Sequence, residues 1–266
     1  MAEAERRAFA LITGGDNGIG LALAREFADH GYDLLIAGET ESHVADAAHS
    51  LSQNGARIET FAGDLGRADQ VDALIETVRR IGRPLDIACV NAGIGLGGAF
   101  IDTDLATELQ MIDLNVRGAV QLSKALVKDM VARGEGQLLF TSSIAATMPD
   151  PFEAVYGATK VFLRWFGEAL RNELKDSGVG VTVLMPGVTD TNFFNRADML
   201  DTRAGASESK DDPADVARAA FAALRADKDK VLPKLKNKVM GAIAEALPDP
   251  IGAQVHRGMS EPGSAG

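Results

Sequence analysis

The chain has 266 residues, 46% of them hydrophobic and 24% charged, and a formal net charge of −11. This is an ordinary globular profile, long enough for a substantial core. Its acidic surplus excludes a general affinity for nucleic acid, which requires basic groups to neutralise phosphates. A single cysteine, Cys89, excludes an internal disulfide, and no Cys/His cluster suggests zinc, so no metal is expected.

Met1 to Arg7 mix acids and bases and lead into only a short apolar run, so no secretory signal is expected. No segment approaches the roughly 18 continuous apolar residues of a spanning helix. A cytoplasmic protein without a membrane partner is the expectation. Short apolar runs follow at Ala8–Thr13, Asp33–Ala37, Arg57–Phe61, Asp86–Val90, Gln137–Thr141 and Val179–Met185. Between them lie amphipathic stretches near 18–30, 41–53, 67–81, 103–133 and 152–177. Strand–helix alternation predicts an α/β fold: one doubly wound domain over 1–266, with a largely parallel sheet of about seven strands and helices on both faces. Residues 201–212 are polar and poorly periodic and read as a mobile loop, and 260–266 read as a flexible tail.

The first strand ends in Thr13-Gly14-Gly15-Asp16-Asn17-Gly18-Ile19-Gly20, and a helix follows. Gly14, Gly18 and Gly20 allow a tight turn and the close approach of backbone to a pyrophosphate at a helix N-terminus. Asp64-Leu65 follows the third strand, where Asp64 either accepts from an adenine amino group or caps the helix over Arg67–Arg80. Asn91-Ala92-Gly93 follows the fourth strand and offers small residues that leave room for a nucleotide.

Tyr156-Gly157-Ala158-Thr159-Lys160 places a phenol and an ammonium one helical turn apart on one face. A neighbouring Lys⁺ stabilises a phenolate, so the spacing predicts a lowered phenol pKa and a general acid/base. The bland alternative is an interfacial tyrosine beside a solvated lysine.

With Thr13–Gly20, Asp64-Leu65, Asn91-Ala92-Gly93, Asn115, Ser143, Tyr156/Lys160 and Pro186-Gly187 followed by Thr191 in order, the chain resembles the short-chain dehydrogenase/reductase family over roughly residues 8–225. The resemblance implies a Rossmann domain in which 8–140 mainly bind cofactor, 141–212 carry the catalytic segment and substrate lid, and 213–259 form C-terminal helices. It implies a nicotinamide-dependent oxidoreductase working on a ketone/secondary-alcohol pair. Tyr156 would be the acid/base, and Lys160 would tune it and hold the ribose. Ser143 would bond the substrate oxygen, and Asn115 would hold a relay water. Asp16, Asn17, Ile19 and the glycines around them would meet the cofactor, as would Pro186, Gly187, Val188 and Thr191. A homodimer or homotetramer is also implied.

The cofactor signals depart from the usual patterns. Gly38 stands where an NAD-preferring member would often carry Asp, and Glu39 where an NADP-preferring member would often carry Arg. A carboxylate at Glu39 could accept from a 2′-hydroxyl and would repel a 2′-phosphate, so NAD is favoured over NADP, with Arg67 as the group that could reverse this. The substrate is expected to meet Ser143, Ile144, Met148, Phe152, Phe193 and Phe194, an apolar lining with few charges, which suits an apolar ketone or alcohol as the small-molecule partner. Ile94, Leu96, Met199 and Leu200 extend that lining. Lys228 to Leu247 is read as a solvated lysine face, with an amphipathic helix at a membrane surface as the alternative. The competing functions are a catalytically silent nicotinamide sensor on the same fold and a peripheral membrane protein.

Overall fold

The computed structural model describes residues 7–52, 55–234, 237–239, 241, 243 and 247–265. Seven parallel strands form one sheet in the order β3-β2-β1-β4-β5-β6-β7. They are β1 (Phe9–Thr13), β2 (Asp33–Gly38), β3 (Ile58–Ala62), β4 (Ile87–Val90), β5 (Gly136–Thr141), β6 (Val179–Leu184) and β7 (Lys230–Val231). The two-residue β7 is too short to leave a periodic signal in the sequence. Among the described residues the α-helices with defined bounds are α1 (Gly18–Asp29), α2 (Glu41–Leu51), α3 (Ala68–Arg80), α4 (Leu105–Ile112), α5 (Ala119–Arg133), α6 (Ala154–Glu173), α7 (Phe193–Arg196), α8 (Pro213–Arg225) and α9 (Asp249–Ser260).

Strand side chains alternate between two cores. From β1, Phe9 and Leu11 join Leu74 of α3, Leu126 of α5 and Leu163 of α6 on one face. Ala10 and Ile12 join Phe27 of α1, Leu51 of α2 and Val216 of α8 on the other. Each large apolar side chain removed from water in this way contributes about 1.5–3 kcal/mol before the entropy of ordering it. Cys89 is among them, 1% exposed, and burial pushes its thiol pKa up.

The strand order reverses between β1 and β4, so a crevice opens at their C-terminal ends, the place where open α/β sheets hold ligands. The single amphipathic stretch expected over 103–133 is interrupted. A π-helical turn at Asp113–Gly118 joins α4 to α5 and contains Asn115. Such turns are rare and concentrate at functional sites.

Loop 201–212 and the tail are tied down, unlike the free segments their composition suggests. Thr202 Oγ1 donates to Met199 O at 2.7 Å, and Asp211 bridges to Thr189 and accepts from Asn237 Nδ2 at 2.7 Å. Gly263 N donates to Asp201 Oδ2 at 2.8 Å, and Arg203 N donates to Ser264 Oγ at 3.0 Å. Among the described residues no helix is long and apolar enough to cross a membrane. Lys236, Met240, Ala242 and Ala244–Ala246 of the lysine-rich segment lie outside the described residues, so the amphipathic reading of 228–247 has no structural counterpart here.

Candidate active site

One cavity runs along the C-terminal ends of the central strands, from the glycine turn to α9. At the turn, Gly14 and Gly18 have φ of 63° and 52°, in the left-handed region that glycine adopts without strain. Gly20, in the first turn of α1, lies so close to the glycine turn that a Cβ there would lie 1.8 Å from Gly14 O. The turn is fastened to the sheet by Thr13 and Asn91. Thr13 Oγ1 accepts from the N–H groups of Asn91 at 2.9 Å and Ala92 at 3.0 Å. Asn91 Nδ2 donates to Thr13 O at 3.0 Å, and its Oδ1 accepts from Thr141 Oγ1 at 3.0 Å. Asn91 thus locks the ends of β1 and β5 together and leaves Ala92 and Gly93 as a smooth wall.

Every residue expected at the cofactor lies on this wall: Gly14, Asp16, Asn17, Gly18, Ile19, Gly20, Glu39, Asp64, Leu65, Asn91, Ala92, Gly93, Tyr156, Lys160, Pro186, Gly187, Val188 and Thr191. Asp64 Oδ1 accepts from Gly66 N at 2.8 Å, which closes a local turn. It is not the helix cap, since Arg67 takes the N-cap position of α3 without a side-chain bond. Arg67 pairs with Asp69 at 3.3 Å and is absent from the cavity wall.

Deeper along the cleft, Ser142 and Ser143 both reach the cavity wall but differ in their bonds. Ser142 Oγ donates to Lys160 O at 2.7 Å and is buried in the framework. Ser143 lines the cavity with Tyr156; its Oγ accepts from Ala145 N at 3.1 Å, and its hydroxyl is the one group near the phenol that lowers the phenol's pKa. Lys160 Nζ donates to Thr141 O at 3.1 Å and lies 5.6 Å from the Tyr156 ring centroid. Asn115 is fully buried and does not reach the cavity wall. It donates to Ile94 O at 2.9 Å and Thr159 Oγ1 at 3.0 Å and accepts from Ile94 N at 3.0 Å. It therefore braces the π-helical turn against α6 and the loop after β4. A Cβ at Gly93 would meet Asn115 Oδ1 at 3.0 Å and Lys160 Nζ at 3.2 Å, so the three groups are mutually adjacent.

The tuning of the phenol differs from the sequence expectation. Burial pushes the Tyr156 pKa up, the charges of Glu153 and Asp150 push it further, and only the Ser143 hydrogen bond opposes them. Burial lowers Lys160 to about 8, so this lysine stays mostly charged at neutral pH but loses its proton more readily than an exposed one, and it is not among the groups that shift the phenol. The predicted lowering of Tyr156 is corrected to a rise, because neither desolvation nor the two carboxylates could be read from the four-residue spacing.

The substrate end also differs from its apolar expectation. Ile144, Phe193 and Phe194 line it, with Ile94. Phe193 lies 5.3 Å from the Tyr156 ring and fills the space over Gly95. Met148 and Phe152 are off the cavity wall. Met148 packs under Gly252 of α9, while Phe152, at φ 66°, carries the Arg257 guanidinium over its ring at 5.0 Å. Leu96 and Met199 pack behind the wall, and Leu200 is exposed.

In their place stand groups that the sequence reading missed: Glu153, His256 and Ser260 line the cavity, with Asp150 beneath them. His256 Nδ1 sits 2.7 Å from Asp150 Oδ1, and Ser260 Oγ donates to Glu153 Oε2 at 2.8 Å. Glu153 occupies the N-cap position of α6 yet makes no capping bond, because its carboxylate turns to α9 instead. The local signal was Asp150-Pro151-Phe152-Glu153 just ahead of Tyr156, but its partners are more than 100 residues away.

Burial first, then the charge of Asp150, raise Glu153 from 4.5 to about 7, against the opposing Ser260 bond and His256 charge. Asp150 is also raised by burial, which outweighs its His256 partner. Burial works against the His256 imidazolium, yet Asp150, by hydrogen bond and charge, and Glu153, by charge, hold its pKa above the ordinary value. A carboxyl whose pKa is raised on folding stabilises the fold below its unfolded value and loses that contribution as pH climbs through the folded one. Glu153→Gln should therefore gain stability over the parent between pH 4.5 and 7, by at most about 3 kcal/mol at the plateau. Thermal melts of both proteins at pH 5 and pH 8 check this, and an equal difference at the two pH values would refute it.

The family profile described as short chain dehydrogenase matches residues 8–199. Sulfoacetaldehyde reductase 2 of Chromohalobacter salexigens is 35% identical over 185 residues, which is 69% of this chain and 73% of that protein. Dehydrogenase/reductase SDR family member 4 of Bos taurus is 31% identical over 69% of this chain and 66% of its own length. Among solved structures, a short-chain dehydrogenase from Sphingobium yanoikuyae in complex with NADPH superposes with a TM-score of 0.80 at 26% identity, covering 89% of this chain and 93% of the other. The chain belongs to the short-chain dehydrogenase/reductase family, oxidoreductases that interconvert alcohols and carbonyls.

Proposed function

We propose that the protein is a nicotinamide-dependent reductase of a ketone, working at Ser143 and Tyr156 and favouring NAD(H). The observation that carries this reading is the Ser143–Tyr156 hydroxyl pair facing the cavity that the glycine turn opens. The turn fits a dinucleotide because a Cβ at Gly20 would fill the space the backbone needs, and Gly14 and Gly18 hold conformations that expose N–H groups at the start of α1. The Sphingobium yanoikuyae relative in complex with NADPH supports the same cofactor class.

When bound, the nicotinamide supplies or takes the hydride. Ser143 and Tyr156 donate hydrogen bonds to the substrate oxygen as it gains negative charge, and Tyr156 passes it a proton. Lys160, whose Nζ donates to Thr141 O, would hold a ribose hydroxyl of the bound cofactor. Asn115 keeps Ile94 and α6 in register so that this set stays aligned. A phenol raised by burial is protonated at neutral pH, the state from which it gives a proton to a carbonyl oxygen.

The NAD preference rests on two carboxylates. Gly38 has no side chain, and the place of its missing Cβ lies 2.7 Å from Asp16 Cγ. The glycine turn therefore delivers a carboxylate to the position where β2 lacks one. Asp16 is 5% exposed by side chain, with His43 Nδ1 at 3.9 Å, and Glu39 lines the same end of the cavity. A 2′-phosphate would meet both acids. Glu39→Arg alone should shift the NADPH/NADH ratio of kcat/KM by about tenfold, since Asp16 remains, and Asp16→Ser with Glu39→Arg by roughly a hundredfold, each step of about 1.4 kcal/mol. An unchanged ratio in the double variant would show that neither acid faces the ribose.

A further inference from the structure

The cluster of Asp150, Glu153, His256 and Ser260 has no part in the chemistry just described. It joins the N-terminus of α6 to α9, which lies beyond the residues matched by the family profile. The cluster is buried: Asp150 and Glu153 are each 7% exposed, His256 9% and Ser260 1%. Gly157, beside the catalytic phenol, lacks a side chain where Asp150 needs room, for a Cβ there would lie 2.5 Å from Asp150 Cβ. Holding α9 in place does not require such groups, because buried ionisable side chains cost desolvation that an apolar contact would avoid. Glu153, His256 and Ser260 also reach the wall of the cavity that holds Tyr156 and Ser143, so a bound molecule can touch them.

Their chemistry selects a ligand group. With His256 Nδ1 occupied by Asp150, the ring's second nitrogen is the one left to bond. The Glu153 carboxylate keeps acceptor capacity beyond the Ser260 bond. An acceptor beside an imidazole suits a hydroxyl, which donates and accepts at once. Two carboxylates in the cluster oppose an anionic group, and the imidazolium opposes a cationic one. Glu153 precedes Tyr156 by three residues, about one helical turn, so the group it meets is only a few bonds from the reacting carbonyl.

We propose that Glu153 and His256 anchor a hydroxyl carried by the substrate near its reacting carbonyl, so that the substrate class is a neutral hydroxyketone and the product a diol. This rests on the ketone-reductase reading above. The reaction is otherwise unchanged: a C–H bond forms from the nicotinamide hydride, the carbonyl π bond breaks, and Tyr156 gives its proton to the oxygen.

The test compares cyclohexanone with its 2-, 3- and 4-hydroxy derivatives, with 4-oxocyclohexanecarboxylate and with 4-aminocyclohexanone, using NADH and NADPH. At least one hydroxyketone is expected to exceed cyclohexanone at least tenfold in kcat/KM. Glu153→Gln and His256→Asn are each expected to lower that ratio at least fivefold, and because the readout is a ratio within one protein, partial misfolding of a variant cancels. Equal kcat/KM for cyclohexanone and all three hydroxyketones, or a preference for the carboxylate or the amine, overturns the anchor and leaves the reductase reading standing. A ratio unmoved by both substitutions overturns it as well. No turnover of any compound with either cofactor overturns the reductase reading and the anchor with it.

Discussion

Tyr156→Phe should lower kcat by 10²- to 10⁴-fold, the range that a positioned proton donor contributes, while the dissociation constant for NADH stays within about threefold of the parent. The phenol hydroxyl shares the cavity wall with Ser143, whose hydroxyl acts on it. Removing it deletes the proton and one of the two donors to the developing oxyanion in a single change. The ring stays, so its contact with Phe193 at 5.3 Å and its packing on Met111 and Ala145 persist, and the fold loses little. Cofactor contacts at the glycine turn lie at the other end of the cleft and are untouched. Stopped-flow reduction and NADH fluorescence titration on the same preparations separate the two effects. Near-normal turnover would remove Tyr156 from the mechanism. Unchanged physiology in a protein with no measurable parent turnover would instead favour the nicotinamide sensor, a reading that nothing in the site geometry supports.

The geometry of the glycine-turn end of the cleft was readable in the sequence because its determinants are local. Gly14, Gly18 and Gly20 lie within one turn, Asn91 to Gly93 are contiguous, and each follows an apolar run that marks its strand end. Tyr156 and Lys160 sit on one helix, so their proximity follows from the helical repeat alone. What the sequence left out is non-local. The spatial stand-in of Asp16 for the missing Gly38 side chain joins two strand ends that only β1–β2 pairing brings together. The pairing of Asp150 with His256 joins the segment before α6 to α9, so an apolar pocket was expected where the fold places a buried polar group. The direction of the Tyr156 shift failed for the same reason: Lys160 was visible one turn away, while the burial of the ring and the turned-in Glu153 carboxylate are products of tertiary packing. Met148 and Phe152 were assigned to the substrate by their position in the segment, and α9, whose docking the sequence does not reveal, covers Met148.

Gly20→Ala should abolish measurable cofactor binding and cost stability beyond the roughly 1–3 kcal/mol typical of overpacking. The added methyl would sit 1.8 Å from Gly14 O and 2.7 Å from Asn91 Nδ2. The first is backbone and cannot rotate away. The second is already fixed between Thr13 O and Thr141 through its amide, so moving it would unfasten the ends of β1, β4 and β5 together. The turn would have to open, which separates its N–H groups from the start of α1, where the cofactor's pyrophosphate would sit on the proposed reading. Gly258→Ala is the matched control. It lies inside α9 with nothing within 4 Å of its missing Cβ, so alanine there should leave binding intact and raise stability by up to about 1 kcal/mol through helix propensity. Thermal melts and NADH titrations of both variants give the contrast. If Gly20→Ala bound NADH as tightly as Gly258→Ala, the close contact of α1 with the turn would not be what holds the dinucleotide, and the site would have to be built on the other strand ends alone.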